Sequence, residues 1–172
     1  MTSSPRGAHP ELRARLSGPM PSLKTPFNRD GSIDFDGLRN LIDCNLAAGA
    51  KALMLTAGDS HYVALSEQEI AEVTLATIRH TAGRALVIAA DRYYHTTQAI
   101  RFAEFARQAG ADLLMVMPPD WGGSCTPATL AEHYRAVATV MPVMLVSNVF
   151  IARGPKFGLD TLRLVLEATD RV

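Results

Sequence analysis

Polar side chains capable of acid–base chemistry follow short apolar runs at several points along the chain. Asp59 and His61 stand two residues apart, a spacing at which a carboxylate and an imidazole can act as an acid/base pair. Asp59 could instead join Asp91 and Asp120 as oxygen ligands of a hard divalent cation. An Asp-Ser pair after a strand is also ordinary turn chemistry, so these interpretations of Asp59 stay open.

A lysine can act as a nucleophile that forms an imine with a carbonyl substrate, when burial or a cationic neighbour lowers its pKa. The chain has three lysines. Lys51 precedes a predicted strand and so lies at the opposite end from the polar loops, and Lys156 falls in a Gly-Pro loop typical of solvent exposure. Lys24 closes the first predicted strand, but a lysine at a strand end more often reaches solvent or an acidic partner. We therefore predict no nucleophilic lysine among the three.

The elements that must position these side chains alternate along the chain. Short, nearly continuous apolar runs recur about every 30 residues and are separated by segments of helical period, which is typical of βα units on a parallel sheet. The predicted strands cover residues 19–23, 52–56, 85–89, 113–117 and 143–146.

Helix-start signals precede the segments of helical period. Asp34 is a predicted N-cap, and Ser66 with Glu69 has the spacing of a capping box. Thr126 is a predicted N-cap followed by a proline at the first helical position. The last helix is predicted over residues 160–168.

Five βα units fit either a doubly wound open sheet or part of a barrel. A dinucleotide-binding open sheet would place G-x-G-x-x-G after its first strand, whereas this chain has Thr-Pro-Phe-Asn-Arg-Asp-Gly at 25–31. The pattern therefore favours an α/β fold that is a partial (β/α)8 TIM barrel, with the first five βα units and parallel strands. We predict a flexible N-terminal leader over 1–17 and the incomplete barrel over 18–172.

Composition excludes several classes of function. The formal net charge is zero, with 48% hydrophobic and 20% charged residues, as in ordinary globular domains. The absence of a basic patch argues against a nucleic-acid partner, and no apolar run approaches the roughly 18 residues of a membrane span. Cys44 and Cys125 have neither metal-binding nor disulfide-framework spacing. These features predict a cytoplasmic protein with reduced thiols.

An ordered set of short motifs runs from about residue 18 to the end of the chain. The motifs are Thr-Pro-Phe at 25–27, Asp-Gly-Ser-Ile-Asp at 30–34, Leu-Ser-Glu-Gln-Glu at 65–69, Gly-Ala-Asp at 110–112, His-Tyr at 133–134 and Asn-Val at 148–149. Each motif is weak alone, but the ordered set resembles the dihydrodipicolinate synthase / N-acetylneuraminate lyase family. The resemblance implies a class I aldolase-type TIM barrel that binds pyruvate or a related keto acid as a Schiff base, without a cofactor.

The resemblance also assigns site positions and shows where this chain departs from the family. The family's Schiff-base lysine belongs to the sixth strand, which this chain does not contain, and Ser147 occupies the position of the catalytic tyrosine. Two substrate-binding threonines of the family fall on Gly58 and Asp59, or within 58–60 after a one-residue shift. The substrate-binding positions that the resemblance implies are Gly58, Asp59, Ser60, Asn148 and Arg153.

These observations lead to one expectation and two alternatives. We expect a lyase or aldolase (EC 4) that acts, when full length, on a small keto or hydroxy acid as a homo-oligomer. The present chain is expected to be inactive alone and, with two open sheet edges, to be unstable, aggregation-prone or dependent on partner chains. The alternatives are a non-catalytic remnant or binding module, and a metal-dependent TIM-barrel lyase that uses Asp59, Asp91 and Asp120.

Overall fold

Helices and parallel strands alternate throughout the computed structural model, which describes residues 9–92, 95–119 and 124–172, apart from the side chains of 148 and 149. A single turn of 3-10 helix, Tyr62–Ala64, follows the first named strand. The other elements are α1 Pro10–Arg15, α2 Phe35–Ala47, β1 Ala52–Met54, α3 Glu67–Thr81, β2 Leu86–Ala90, α4 Thr96–Ala109, β3 Leu113–Val116, α5 Pro127–Ala138, β4 Val143–Leu145, α6 Asn148–Ile151 and α7 Pro155–Ala168.

The four strands form one parallel sheet in the order β1-β2-β3-β4. Helix α3 packs on β2, α4 on β3 and α5 on β4. Crossovers between parallel strands are right-handed, so a strand order that never reverses places the connecting helices on one face of the sheet. A doubly wound sheet would reverse its order. The predicted α/β fold, a partial TIM barrel of parallel strands, is therefore confirmed.

The first predicted strand is reduced to a single bridge. Ser22 pairs in parallel with Met54, and two backbone bonds flank the bridge: Leu23 N–H to Met54 O at 2.8 Å and Met54 N–H to Pro21 O at 3.0 Å. The prediction of a full strand over 19–23 was wrong because the prolines at 19 and 21 have no N–H to donate to a ladder. The bridge still holds this segment at the edge of the sheet.

Local capping signals predicted the helix starts well. The Asp34 side chain accepts a 2.8 Å bond from the Gly37 N–H, and Ser66 forms a reciprocal capping box with Glu69. Thr126 caps α5, as predicted. Helix α7 starts at Pro155 instead of residue 160, because a proline at the first helical position has the helical φ and needs no N–H partner.

Both ends of the described chain pack at the amino-terminal side of the sheet. Helix α1 lies within the segment predicted as a leader, and its Leu12 packs against the core. Arg13 donates a 2.8 Å bond to the Val172 carbonyl, and Val143 N–H donates to the Arg171 carbonyl at 3.0 Å. The chain after α7 is therefore held beside the start of β4. None of the described helices has the length and apolar character required to span a membrane.

Candidate functional site

A cavity of about 420 Å³ opens at the carboxyl ends of β1, β3 and β4. In a TIM barrel the strand ends on this side carry the chemistry. The cavity brings together Gly58 and Ser147, two of the predicted site residues, which are far apart in sequence. Its lining consists of Thr56, Ala57, Gly58, Met115, Met117, Leu145, Val146 and Ser147.

Most of the cavity wall is apolar, and its polar side chains are two hydroxyls. Met115 and Met117 alternate along β3 and just beyond it, so both face the cavity. Thr56 and Ser147 supply the hydroxyls. Reasoning from the sequence missed Thr56, Met115 and Met117, although every second residue of a barrel strand is expected to face the interior. An apolar wall with two hydroxyls suits a small organic molecule whose polar groups are bound at the rim.

Ser60 is fully buried and holds the loop after β1 in place. Its hydroxyl donates to the Leu23 carbonyl at 2.6 Å and accepts from the Thr56 N–H at 2.9 Å. Thr25 in turn donates its hydroxyl to the Ser60 carbonyl at 2.6 Å. Two of these bonds join the loop to Leu23 and Thr25 in the first segment of the barrel. The third joins it to Thr56, where the loop begins. The Ser60 hydroxyl is thus used within the protein, and the cavity lining does not include it.

The Asp59 carboxylate bonds to the segment that precedes it in the barrel. Ser22 donates its hydroxyl to one Asp59 carboxylate oxygen at 2.5 Å, and Lys24 Nζ lies 3.2 Å from the other. The Ser22 bond, followed by Lys24, holds the pKa of Asp59 below its ordinary value. The Asp59 N–H donates to the Thr56 hydroxyl at 2.9 Å, so this exposed ion pair is anchored beside the cavity.

A second polar cluster lies buried behind the sheet. Asp91, at the end of β2, has no solvent exposure and accepts a 2.8 Å bond from the Met117 N–H. Burial raises the pKa of Asp91 to about 8, and burial with the nearby Asp91 raises the pKa of Tyr134. His133 Nδ1 and the Thr96 hydroxyl share a 2.9 Å hydrogen bond. Burial lowers the pKa of His133 to about 4. Asp91 supports the cavity wall from behind through its bond to Met117.

The metal alternative gains no support from the described part of the chain. Within residues 9–92, 95–119 and 124–172, no three His, Cys, Asp or Glu side chains are grouped as metal ligands. Asp59 is exposed and paired with Lys24, whereas Asp91 is buried behind β3. Asp120, the third predicted ligand, lies outside the described residues.

The remaining predicted residues follow β4. Asn148 starts α6, and its side chain lies outside the described part of the structure. Arg153 donates a 2.9 Å bond to the Cys125 carbonyl, and its guanidinium stacks 3.9 Å from the centre of the Phe157 ring. It therefore joins the loop before α5 to α7 and is not among the residues that line the cavity.

Comparisons with known proteins agree with this geometry. A sequence profile of the dihydrodipicolinate synthetase family matches residues 15–163. A probable 5-dehydro-4-deoxyglucarate dehydratase of Streptomyces coelicolor is 36% identical over 85% of this chain and 45% of its own length. A 4-hydroxy-tetrahydrodipicolinate synthase of Psychrobacter arcticus is 32% identical over 79% of this chain and 45% of its own length.

A solved structure shows the same similarity. YagE, a prophage protein of the dihydrodipicolinic acid synthase family from E. coli K12, was crystallised in complex with pyruvate; it is 28% identical, with a TM-score of 0.68 over 76% of this chain and 44% of its own. The chain thus spans about half the length of the curated relatives it matches.

Proposed function

The chain belongs to the dihydrodipicolinate synthetase family, and on that premise we propose that the complete protein is a lyase that acts on a small keto or hydroxy acid through a Schiff base. The observation that carries the proposal is the shared cavity of Gly58 and Ser147 at the carboxyl ends of the strands. The family resemblance gives both positions to the substrate site, and the shared cavity lining supports that assignment.

The proposed reaction begins with an amine and a keto group. The lysine, which the resemblance places on the sixth strand beyond Val172, adds to the keto carbon of the substrate and releases water to form an imine. The protonated imine withdraws electrons from the neighbouring carbon, so that this carbon can lose a proton or a carbon fragment and leave the electron pair in an enamine. The enamine can then expel a hydroxide from the next carbon, which is the dehydration step. The Ser147 hydroxyl, which can both donate and accept a hydrogen bond, contacts the substrate where the family has its tyrosine.

The substrate is proposed to be a keto acid with additional hydroxyl groups, as in a dehydratase. The relative named a 5-dehydro-4-deoxyglucarate dehydratase is 36% identical to this chain, against 32% for the 4-hydroxy-tetrahydrodipicolinate synthase. Replacement of a tyrosine by Ser147 and of two threonines by Gly58 and Asp59 also argues against the reaction of the synthase. A serine leaves more room in the cavity than a tyrosine, which suits a longer substrate.

Borohydride trapping tests the proposal. The complete protein and the 172-residue chain are each incubated with pyruvate or 5-dehydro-4-deoxyglucarate, reduced and weighed by mass spectrometry. We expect a covalent adduct on the complete protein and none on the chain alone. Imine chemistry survives EDTA, whereas metal-dependent chemistry does not, so activity is measured with and without the chelator. A complete protein that gives no adduct with either compound would contradict the Schiff-base mechanism and favour a non-catalytic role.

A further inference from the structure

Two methionines from one strand line the apolar wall of the cavity. Met115 lies in β3 and Met117 directly follows that strand, and the two residues are only 8% and 6% exposed. A methionine side chain is unbranched and has three rotatable bonds, so the position of its sulfur and methyl group depends on how firmly its backbone is held. The contacts that hold this segment of backbone therefore decide the shape of the wall.

One residue of the neighbouring strand bonds to the backbone at both positions. Asp91 directly follows β2, and its N–H donates to the Met115 carbonyl at 3.2 Å. Its side-chain carboxyl accepts a 2.8 Å bond from the Met117 N–H. The register between β2 and β3 ends with the pair Ala90 and Met115. The Asp91 side chain thus supplies the acceptor for one more bond between the two segments, beyond the point where the paired strands end.

The sequence after Met117 makes this bond the last of its kind. The next two residues, at 118 and 119, are prolines, which have no N–H to donate. The Met117 N–H is therefore the last backbone donor of this segment before residue 120. A buried N–H that loses its acceptor is costly, so the paired arrangement is strongly preferred. The position of Met117 in the wall accordingly depends on the acceptor that Asp91 provides.

Asp91 acts on the cavity from outside it. The residue has no solvent exposure, lies close enough to Tyr134 of α5 to raise the pKa of that residue, and is not among the described residues that line the cavity. We propose that Asp91 is a positioning residue, whose carboxyl holds the Met117 backbone so that Met115 and Met117 form a fixed wall against which the carbon chain of the keto acid packs. This inference rests on the proposed function for the identity of the ligand.

The test uses the complete protein, with pyruvate as the ligand. Asp91→Ala removes the acceptor and should weaken pyruvate binding about fivefold, the effect of one ordinary hydrogen bond. Burial raises the pKa of Asp91 to about 8, so the side chain is an uncharged acid at neutral pH. Asp91→Asn imitates that acid, keeps a side-chain oxygen and should restore most of the affinity.

A second variant without an acceptor separates the missing bond from the missing volume. Asp91→Val fills more of the buried space than alanine does but still offers the Met117 N–H no oxygen. It should bind pyruvate as weakly as Asp91→Ala does. Affinity that is regained in Asp91→Val would show that packing, and not the hydrogen bond, holds the wall, and it would overturn the inference.

Asp112→Ala is the matched control. Asp112 accepts a 2.8 Å bond from the Val87 N–H, which also joins a side chain to the backbone of the neighbouring strand. That bond lies at the start of β3, and Asp112 is not among the described residues that line the cavity. The variant should lose stability, as Asp91→Ala does, but should bind pyruvate as the wild type does.

A double-mutant cycle tests whether Asp91 acts through Met117. Met117→Ala removes the side chain from the wall and should itself weaken pyruvate binding. Adding Asp91→Ala to that variant should weaken binding by no more than about twofold further, because the side chain that Asp91 positions is already gone. Fully additive losses would show that Asp91 affects binding by another route and would overturn the inference.

Two measurements separate this inference from the proposed function. Equilibrium dialysis with labelled pyruvate reports binding, and borohydride trapping reports imine formation. Binding that depends on an acceptor at residue 91 supports the inference even if no adduct forms. An adduct on the wild type, together with equal pyruvate binding by the wild type and Asp91→Ala, would overturn the inference and leave the proposed function standing. Equal losses of affinity in Asp91→Ala and Asp112→Ala, or no binding by the wild type, would also overturn it.

Discussion

The backbone N–H of Met117 donates a 2.8 Å hydrogen bond to the carboxylate of Asp91, a side chain with no solvent exposure. Met117 lines the cavity, so a buried titratable group lies one hydrogen bond behind the candidate site. Within the described residues, the second Asp91 oxygen, the Tyr134 hydroxyl and His133 Nε2 are buried without a hydrogen-bond partner. A cluster of this kind makes stability depend on pH.

The sign of that dependence follows from the direction of each pKa shift. Asp91 keeps its proton up to about pH 8 in the folded state but loses it near its ordinary value of 3.8 when unfolded, so stability falls as pH rises toward 8. His133, with its pKa lowered from 6.5 to about 4, makes stability fall as pH drops from 6.5 toward 4. Of these two groups, only Asp91 therefore changes the stability between pH 6.5 and 8.

We predict that the free energy of unfolding decreases between pH 6.5 and 8, by at most about 1.4 kcal/mol per pH unit for one proton. Asp91→Asn keeps an oxygen for the Met117 N–H and should flatten this slope and stabilise the protein at pH 8. Asp112→Asn is the control, because Asp112 accepts a comparable 2.8 Å bond from the Val87 N–H at a partly exposed site. Urea unfolding at several pH values measures the slope, and an unchanged slope in Asp91→Asn would contradict the assignment.

Ser60 and Ser147 are predicted to differ sharply, although the family resemblance assigns both to the site. Ser60→Ala leaves the buried Leu23 carbonyl and Thr56 N–H without their partner, which should cost about 2–4 kcal/mol of stability. Ser147→Ala should change the free energy of unfolding by less than about 1 kcal/mol and slow turnover of the complete protein. Denaturant unfolding and steady-state kinetics test the pair. Equal stability losses would contradict a structural role for Ser60, and unchanged turnover in Ser147→Ala would contradict a substrate-contacting role for Ser147.

Gly158 is predicted to be required by the contact between α6 and α7. A Cβ at this position would lie 2.8 Å from Ile151 Cγ1 and 3.0 Å from Ile151 Cα, so Gly158→Ala should destabilise the protein by about 1–3 kcal/mol. At Gly58 a Cβ would meet no atom within 4 Å. Thermal unfolding should therefore show a lower midpoint for Gly158→Ala and an unchanged midpoint for Gly58→Ala; matching midpoints would show that α6 can move aside.

The capping box of α3 is predicted to stabilise the protein by the amount usual for a helix N-cap. Ser66→Ala removes the acceptor of the Glu69 N–H and should lower the free energy of unfolding by about 1 kcal/mol. Ser17→Ala, at an exposed serine outside the helices, is the matched control. If both variants unfold at the same urea concentration, the capping interaction contributes nothing measurable.

Signals confined to one turn or one strand predicted the elements. Asp34, Ser66 and Thr126 start helices where their spacing indicated, because an N-cap acts on an N–H only two or three residues away. The apolar runs predicted β1 to β4 because strands buried on both faces need apolar residues throughout. The first strand was the exception. Its prolines lack the backbone N–H that a ladder needs, and a pattern of apolar residues does not show this.

The sequence by itself therefore determined the alternation of strands and helices, the helix starts and, through the order of its motifs, the family. Only the tertiary structure decided what each site residue does: Gly58 and Ser147 share a cavity, Ser60 bonds to Leu23, and Asp59 holds Lys24. The physical reason is distance along the chain. Caps and periodicity act within a few residues, whereas these contacts join segments whose approach depends on strand register and on the path of each loop, which no local spacing encodes.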